Sequence, residues 1–168
     1  AEESLLFFSY KIVVLINKTW KLSRLMCKGK PLRASRLIVQ TDLSEVKDVL
    51  QWFEEFTSDP LPQQFWQQCQ IALVEGFTNV VRHAHRHLPN TTVIELELKL
   101  FTDGLEMRLW DYGHPFDFQS KLESLYQEDY DPLEKEGGRG LMFMNQLTDE
   151  VSYQRLSDQR NCLLMRKW

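Results

Sequence analysis

Alternating apolar and polar residues dominate the middle of the chain. In the stretch TTVIELELKLF, which follows Asn90, isoleucine and three leucines occupy every second position and charged residues stand between them. This period of two is typical of a β-strand with one buried face. The pair Asp103-Gly104 favours a tight turn, and the stretch GLEMRLWDY then alternates again. The pattern predicts an antiparallel hairpin.

Apolar residues at helical spacing precede this hairpin. Thr41-Asp42 is a good helix N-cap pair, and Glu45 follows Asp42 at the spacing of a capping box. The apolar residues that come next recur every three or four positions up to about Thr57, which predicts an amphipathic helix. After the helix-breaking segment SDPLP, a longer helix is predicted from about Gln63 to His87.

Shorter elements complete the predicted domain. RLIVQ, residues 36–40, predicts a strand, and a short helix is expected at residues 141–147. DEVSYQRL and NCLLMRKW predict a closing pair of strands. The order of these elements predicts an α+β fold. We expect a two-layer α/β sandwich, with helices on one face of a mixed, mostly antiparallel sheet.

One long connection separates the hairpin from the last helix. Residues 114–136 show no clean period and contain many acidic residues. A connection of this length is uncommon in a compact domain unless it is a functional lid or is disordered. We therefore expect a lid at about residues 114–136, inside a domain that spans residues 36–168.

Charge is distributed unevenly along the chain. The formal net charge is −4, yet no acidic residue occurs between Glu3 and Asp42, where all eight charged residues are Lys or Arg. The remainder of the chain is therefore strongly acidic. Because affinity for phosphate backbones depends on clustered Lys and Arg, we expect no direct nucleic-acid binding by this acidic body.

Residues 1–35 form a basic N-terminal extension of uncertain role. Its apolar run is interrupted by Lys11 and is shorter than the roughly 20 residues that span a bilayer, so we expect no stable membrane insertion. The extension could be a peripheral membrane or partner-binding arm, an extra strand and linker, or part of a neighbouring region. Three widely separated cysteines indicate neither a disulfide framework nor a zinc site, which favours a reduced, cytoplasmic setting.

Candidate chemistry begins in the second predicted helix. Glu75 and Asn79 are four residues apart, so they are neighbours on one face, opposite an apolar face. A carboxylate can act as a general base. An amide oxygen suits Mg²⁺, which takes few protein ligands beside waters and phosphates. A simple solvated face would show the same pattern, so both interpretations stay open for the pair alone.

Two motifs that contain glycine follow. Asp111 ends a predicted strand and Gly113 comes two residues later, which fits either a capped turn or a carboxylate that binds an exocyclic amine, with room for a flat base. In EGGRGL, residues 136–141, glycines precede a helix, an arrangement that suits phosphate binding or a mobile loop. The motif is neither a Walker A loop nor a dinucleotide fingerprint.

The order of these motifs along the chain resembles that of a known protein family. E-x-x-x-N, then D-x-G, then G-G-x-G-L resembles the GHKL family of ATP-binding domains, of the gyrase, Hsp90, histidine kinase and MutL type, over roughly residues 36–168. The stretches VEGFTNVVRHAH, DYGHPFDF and PLEKEGGRGLMFMNQLTDEVSY are most similar to the anti-sigma factor serine kinases. The resemblance implies ATP and Mg²⁺ as cofactors.

Residue roles follow from the resemblance alone. It implies that Glu75 is the catalytic base, and that Asn79 is the metal ligand and contacts the cofactor. Asp111 would bind the adenine amine, and Gly113 would make room beside the ring. The other cofactor-binding residues that it implies are His83, Gly137, Gly138, Arg139, Gly140 and Leu141.

The chain also departs from the pattern of the family. Many relatives have a threonine on a late strand beside the adenine-binding aspartate, and Cys162 or a neighbour occupies that region here. No helical hairpin with a phosphoacceptor histidine is recognised before the domain. We therefore expect His83, His85 and His87 at the pocket rim and helix C-terminus, not as phosphorylation sites.

The activity implied by the resemblance is that of an ATP-dependent protein serine/threonine kinase. Such a protein binds a sigma factor and phosphorylates a serine of an anti-anti-sigma antagonist, and it thereby regulates transcription. A homodimer is expected by the same resemblance. Two alternatives remain: a nucleotide-dependent binding module without phosphoryl transfer, and the ATP-binding domain of a larger sensor kinase.

Overall fold

A single antiparallel sheet forms the base of the fold. The computed structural model describes residues 29–127 and 138–168. The strands are β1 (Arg33–Gln40), β2 (Val93–Phe101), β3 (Gly104–Asp111), β4 (Glu150–Arg155) and β5 (Asn161–Lys167). They are arranged in the order β1-β2-β3-β5-β4. Every pairing between these strands is antiparallel, whereas a mixed, mostly antiparallel sheet was expected.

Four α-helices in the described part of the chain accompany the sheet. They are α1 (Val46–Glu54), α2 (Gln63–Asn79), α3 (Phe118–Gln127) and α4 (Arg139–Leu147). A 3-10 turn precedes α1, and the carboxylate of Asp42 accepts a hydrogen bond from the Ser44 N–H at 2.8 Å. Asp42 of the predicted pair is therefore confirmed as the cap, whereas Thr41 is buried and its hydroxyl donates to the Thr92 carbonyl. No helix in the described part of the chain is both long and apolar enough to cross a bilayer.

The helices pack on one face of the sheet. The residues of β2 that alternate toward this face are almost fully buried; they are Ile94, Leu96, Leu98 and Leu100. Helix α2 lies close to β5 because Gly76 has no side chain: a Cβ atom there would lie 3.2 Å from Leu163 and 3.3 Å from Met165. This confirms the predicted two-layer fold.

The other face of the sheet carries charged pairs. Glu97 is buried on β2, where Arg36 and Lys99 each contact its carboxylate at 2.9 Å. Burial by itself would raise the pKa of Glu97, but the hydrogen bonds from Lys99 and Arg36 outweigh it and lower that pKa. The charged residues that alternate along β2 are thus held by partners, and the helices occupy the opposite, apolar face.

Part of the predicted lid is an ordered helix. Helix α3 buries Phe118, Leu122 and Leu125, at a helical spacing that the surrounding polar residues obscured in the sequence. Residues 128–136 of the predicted lid, and Gly137, lie outside the described residues, as do residues 1–28 of the predicted extension. Strand β1 begins at residue 33, inside the range first assigned to that extension.

Candidate functional site

The end of α2 meets the beginning of α4. A Cβ atom on Gly140 would lie 2.7 Å from Oε2 of Glu75, and 3.0 Å and 3.2 Å from the amide nitrogen and oxygen of Asn79. Any larger residue at this position would therefore displace these side chains. The structure thus brings together the acid and the amide of the helix motif and the last glycine of the G-G-x-G-L motif, as their predicted roles require.

The amide of Asn79 has an unmet hydrogen-bonding requirement. Its nitrogen is buried, and no partner for it lies among the residues that the structure describes. Leaving a buried donor unpaired costs about 1–3 kcal/mol, so such a group is typical of a site that receives a ligand. A phosphate oxygen would satisfy this donor, and the amide oxygen beside the Glu75 carboxylate is a suitable oxygen ligand for Mg²⁺. The donor set therefore fits magnesium with phosphate.

No all-protein metal cage accompanies these two side chains. Within residues 29–127 and 138–168, no group of three His, Cys, Asp or Glu residues is arranged to hold a metal ion. Magnesium usually keeps several waters and substrate phosphates in its coordination shell, so one or two protein ligands are sufficient.

Helix α2 changes its winding immediately after Asn79. One turn of π-helix spans Val80–Ala84, and the His85 N–H donates to the Val80 carbonyl at 2.8 Å. The sequence predicted a continuous helix here. The wider turn leaves His83 exposed, as expected for the pocket rim, but it places His85 inside the protein, with only 1% of its surface accessible. Of the three histidines expected at the pocket rim and helix C-terminus, His85 therefore lies at the helix C-terminus, as expected, but it is buried.

The buried His85 connects three separate segments. Its Nε2 accepts a hydrogen bond from the Tyr112 N–H at 2.9 Å. Because Nε2 accepts, the proton is on Nδ1, which donates to Oγ1 of Thr41 at 2.7 Å. The Thr41 hydroxyl in turn donates to the Thr92 carbonyl at 2.7 Å. Burial lowers the pKa of His85, and the nearby charge of Asp111 opposes this only in part, so the ring is neutral.

Asp111 lies buried at the end of β3, where two donors hold one of its oxygens. Its Oδ1 accepts from the Gly113 N–H at 2.8 Å and from the Asn161 side-chain amide at 2.7 Å. Asn161 also donates to the Gly113 carbonyl at 3.0 Å. Arg155 donates to the same carbonyl and to the Asn161 oxygen. Strands β4 and β5 therefore fix the turn formed by residues 111–113, which is called the D-x-G turn below.

Asn161 and Arg155 are the functional-site residues that sequence reasoning missed. The sequence predicts Cys162 or a neighbour beside Asp111. The strand register shows which residue this is, because Cys162 pairs with Trp110 and Asn161 pairs with Asp111. The useful indication in the sequence was a polar residue at the first position of the last predicted strand. Its pairing with Asp111 depends on a register that no local pattern specifies.

Gly113 is required by its packing. A Cβ atom there would lie 2.5 Å from the carbonyl oxygen of Ala84, which is the last residue of the π-helical turn. Because this neighbour is backbone, it cannot rotate away as a side chain would. The predicted role of Gly113 beside an adenine ring stays a prediction. The structure adds a reason for glycine that is independent of any ligand.

The start of α4 offers uncapped backbone donors. Gly138 precedes it with a φ of 92°, a left-handed conformation that favours glycine, and its side-chain position faces Leu125 of α3. No side chain caps the helix at this residue. Arg139 is exposed, and Leu141 packs against the core. First-turn N–H groups with this orientation can bind an anion such as phosphate.

Comparison of the chain with known proteins finds proteins of similar sequence. A protein named serine-protein kinase RsbW from Bacillus licheniformis is 38% identical over 92 residues, which cover 52% of this chain and 56% of the relative. A second protein of that name, from Staphylococcus aureus (strain bovine RF122 / ET3-1), is 29% identical over 89 residues, which cover 51% and 56%. The chain thus spans just over half the length of these relatives.

A solved structure and a family profile also match. The histidine kinase domain from the Erythrobacter litoralis EL346 blue-light activated histidine kinase shares 14% sequence identity, with a TM-score of 0.46, over 77% of this chain and 61% of that chain. Residues 39–167 match the family described as "Histidine kinase-like ATPase domain". That range contains Glu75, Asn79, Asp111 and Gly140, and it covers most of the sequence. The chain therefore belongs to the GHKL-type, histidine kinase-like ATPase domain family.

Proposed function

We propose that this chain is an ATP-dependent serine-protein kinase domain. Its nucleotide would lie between the end of α2, the D-x-G turn and the start of α4. The observation that carries the proposal is the buried amide nitrogen of Asn79 beside Glu75 and Gly140, for which the described residues offer no hydrogen-bond partner. Family membership and the names of the relatives support ATP use and kinase activity.

The D-x-G turn would recognise the base. In this proposal the carboxylate of Asp111 accepts a hydrogen bond from the exocyclic amine of adenine. The bonds from Asn161 and the Gly113 N–H to Oδ1 hold the carboxylate in one orientation before the nucleotide arrives. A carboxylate that is already held loses little freedom on binding, which favours affinity.

The triphosphate would lie near the two ends of helices. Backbone N–H groups at residues 138–140 would donate to phosphate oxygens, and the exposed Arg139 would add a positive charge. Asn79 would hold Mg²⁺, which when bound neutralises charge on the transferring phosphoryl group. The buried Asn79 nitrogen would gain a phosphate acceptor.

Glu75 would act on the protein substrate. Its carboxylate oxygen lies beside Gly140, where it would orient the attacking serine hydroxyl and accept its proton. Transfer then depends on positioning and charge neutralisation, without a covalent enzyme intermediate. The serine would belong to an anti-anti-sigma antagonist, and the same chain would bind a sigma factor, as a homodimer in the cytoplasm.

Phosphoryl transfer tests this proposal directly. The chain, purified and tagged, is incubated with γ-labelled ATP, Mg²⁺ and a lysate of the source organism, then recovered with its partners for phosphoserine analysis. We expect a small phosphorylated protein, and at least about a 100-fold loss of label with Glu75→Gln, while ATP still binds. Glu54→Gln, at an exposed position of α1, is the matched control and should transfer normally.

Two outcomes would contradict the proposal. If the unaltered chain binds ATP but transfers no label to any protein, the kinase assignment fails and a nucleotide-dependent binding module is the better description. If Mg²⁺ and ATP at millimolar concentration produce no saturable binding, the proposed nucleotide site itself fails.

A further inference from the structure

We propose that His85 is a positioning residue that fixes the backbone of the D-x-G turn, and with it the orientation of Asp111 toward a bound base. His85 touches no substrate in this role; it acts through the Tyr112 amide. The inference deepens the proposed function, because its nucleotide part rests on the adenine role of Asp111. Its structural part concerns the free protein and can be tested without nucleotide.

The geometry assigns this role because, among the described residues, the other side-chain hydrogen bonds to the turn come from the β4 and β5 side. Asn161 and Arg155 contact Gly113 and Asp111 from β4 and β5. The middle residue of the turn, Tyr112, has an exposed side chain, and its backbone N–H donates to Nε2 of His85. In the described part of the chain, the hydrogen bond that reaches the turn from the α2 side is the one from Tyr112 to this imidazole.

The imidazole is itself held in place by a hydrogen bond at its other ring nitrogen. Its Nδ1 donates to Thr41, directly after β1, and the Thr41 hydroxyl donates to Thr92, directly before β2. Both ring nitrogens are therefore used, and the direction of each bond is consistent with one neutral tautomer. A buried ring with two partners cannot rotate without breaking a hydrogen bond. Strands β1 and β2 thereby set the position of the D-x-G turn.

Packing beside the imidazole supports the same role. Ala84 precedes His85, and its carbonyl lies against Gly113, the last residue of the D-x-G turn. The π-helical turn that aims His85 inward therefore also supplies the surface on which Gly113 rests. Two consecutive residues of the segment after Asn79 contact two consecutive residues of the turn. A histidine that merely filled the core would have no such relation to Tyr112 and Gly113.

The first arm of the test uses the free protein. Long-range ¹H–¹⁵N NMR spectra report the tautomer of His85, and amide hydrogen exchange reports protection of Tyr112. We expect the Nδ1–H tautomer, and exchange of the Tyr112 amide that is about tenfold faster in His85→Phe, which corresponds to the loss of one hydrogen bond. His85→Gln offers an acceptor near Nε2 and should restore much of the protection. His87→Gln, at an exposed position nearby, is the control.

The second arm measures nucleotide recognition. Affinities for ATP and GTP are measured for the unaltered chain and for the same variants. We expect His85→Phe to weaken ATP binding about tenfold with little effect on GTP, so that discrimination between the bases falls. Label transfer at saturating ATP should fall much less than affinity does. If His85 only stabilised the fold, its replacement would lower the affinities for ATP and GTP and the transfer rate alike.

The outcomes separate this inference from the proposed function. Unchanged Tyr112 protection in folded His85→Phe overturns the positioning role, and so does faster exchange with unchanged ATP affinity. Failure of Asp111→Asn to weaken ATP binding overturns the adenine site and, with it, the positioning of Asp111 for a base. Should His85→Phe not fold, Thr41→Val removes the hydroxyl that holds the imidazole, and unchanged Tyr112 exchange in that variant overturns the inference.

Discussion

Asn161 and Asp111 are direct partners: the Asn161 side-chain nitrogen donates to Oδ1 of Asp111 at 2.7 Å, and the two residues pair across β5 and β3. Both are buried, with 0% and 1% of their surfaces accessible. The same nitrogen donates to the carbonyl of Gly113. One side chain on the last strand therefore satisfies both ends of the turn that is proposed to recognise adenine.

Replacement of Asn161 by alanine is expected to destabilise the protein. It removes a donor from a buried carboxylate and from a buried carbonyl, so we expect the free energy of unfolding to fall by about 1–3 kcal/mol. ATP affinity should fall as well, since Asp111 is no longer oriented. Urea unfolding and calorimetry measure the two effects. Gln154→Ala, at an exposed position of β4, is the control; an equal effect of both variants would refute the role of Asn161.

An alanine at position 113 should not fit. Its Cβ would meet the backbone of Ala84, which cannot move aside, and overpacking of this kind costs about 1–3 kcal/mol. Urea unfolding of Gly113→Ala is compared with that of Gly29→Ala, whose Cβ would have no neighbour within 4 Å among the described residues. Near-identical stability of the two variants would show that the D-x-G turn does not pack on Ala84 as described.

Gly140→Ala is expected to impair ligand binding more than folding. The added methyl group displaces the ends of Glu75 and Asn79, which are side chains that can move. Alanine also favours a helix over glycine by up to about 1 kcal/mol, which offsets part of the cost. We therefore expect nearly normal unfolding in urea, together with weaker Mg²⁺-dependent ATP binding by calorimetry. Normal ATP affinity would place the phosphates elsewhere.

Stability should depend on pH through His85. Burial lowers the pKa of His85, although the Asp111 charge opposes this, and the ordinary value for histidine is about 6.5. The unfolded chain therefore takes up the proton first as the pH falls. The stability contributed by the neutral ring is fully present above about pH 6.5 and is lost as the pH decreases toward the lower folded pKa.

Urea unfolding at a series of pH values measures this contribution. The fall in unfolding free energy between about pH 7 and pH 5 should be smaller in His85→Gln than in the unaltered chain, because glutamine does not titrate. His87→Gln, which removes an exposed histidine, should retain the full dependence. Equal slopes in all three proteins would mean that His85 is not the group responsible.

Much of the fold was predictable because its local patterns are strong. The alternation in β2 reflects one face on the core and one face of charged pairs, so periodicity alone indicated the strand. The Asp42 cap was likewise local. Helix α3 was missed because its three buried residues are spread among polar ones. The purely antiparallel sheet follows from pairings between distant segments, which a pattern within one segment does not specify.

The site was predictable in part for the same reason. Glu75 and Asn79 share a helix face, and their spacing alone predicts proximity. Their approach to Gly140, some 60 residues later in the chain, was implied only by resemblance to a family. The Asn161 contact with Asp111 required the register of β3 and β5. The inward position of His85 required a π-helical turn, and the composition of VVRHA does not distinguish that turn from an α-helical one.

The π-helical turn at Val80–Ala84 also makes the winding of this segment critical. A π-helical turn holds about one residue more than an α-helical turn. If the same residues were wound as an ordinary α-helix, everything that follows would be rotated around the axis by about one residue's step, roughly 100°. The imidazole would then leave its two partners, while Glu75 and Asn79, which precede the turn, would keep their places. A change of winding in this one turn would therefore separate recognition of the base from handling of the phosphates within one continuous helix.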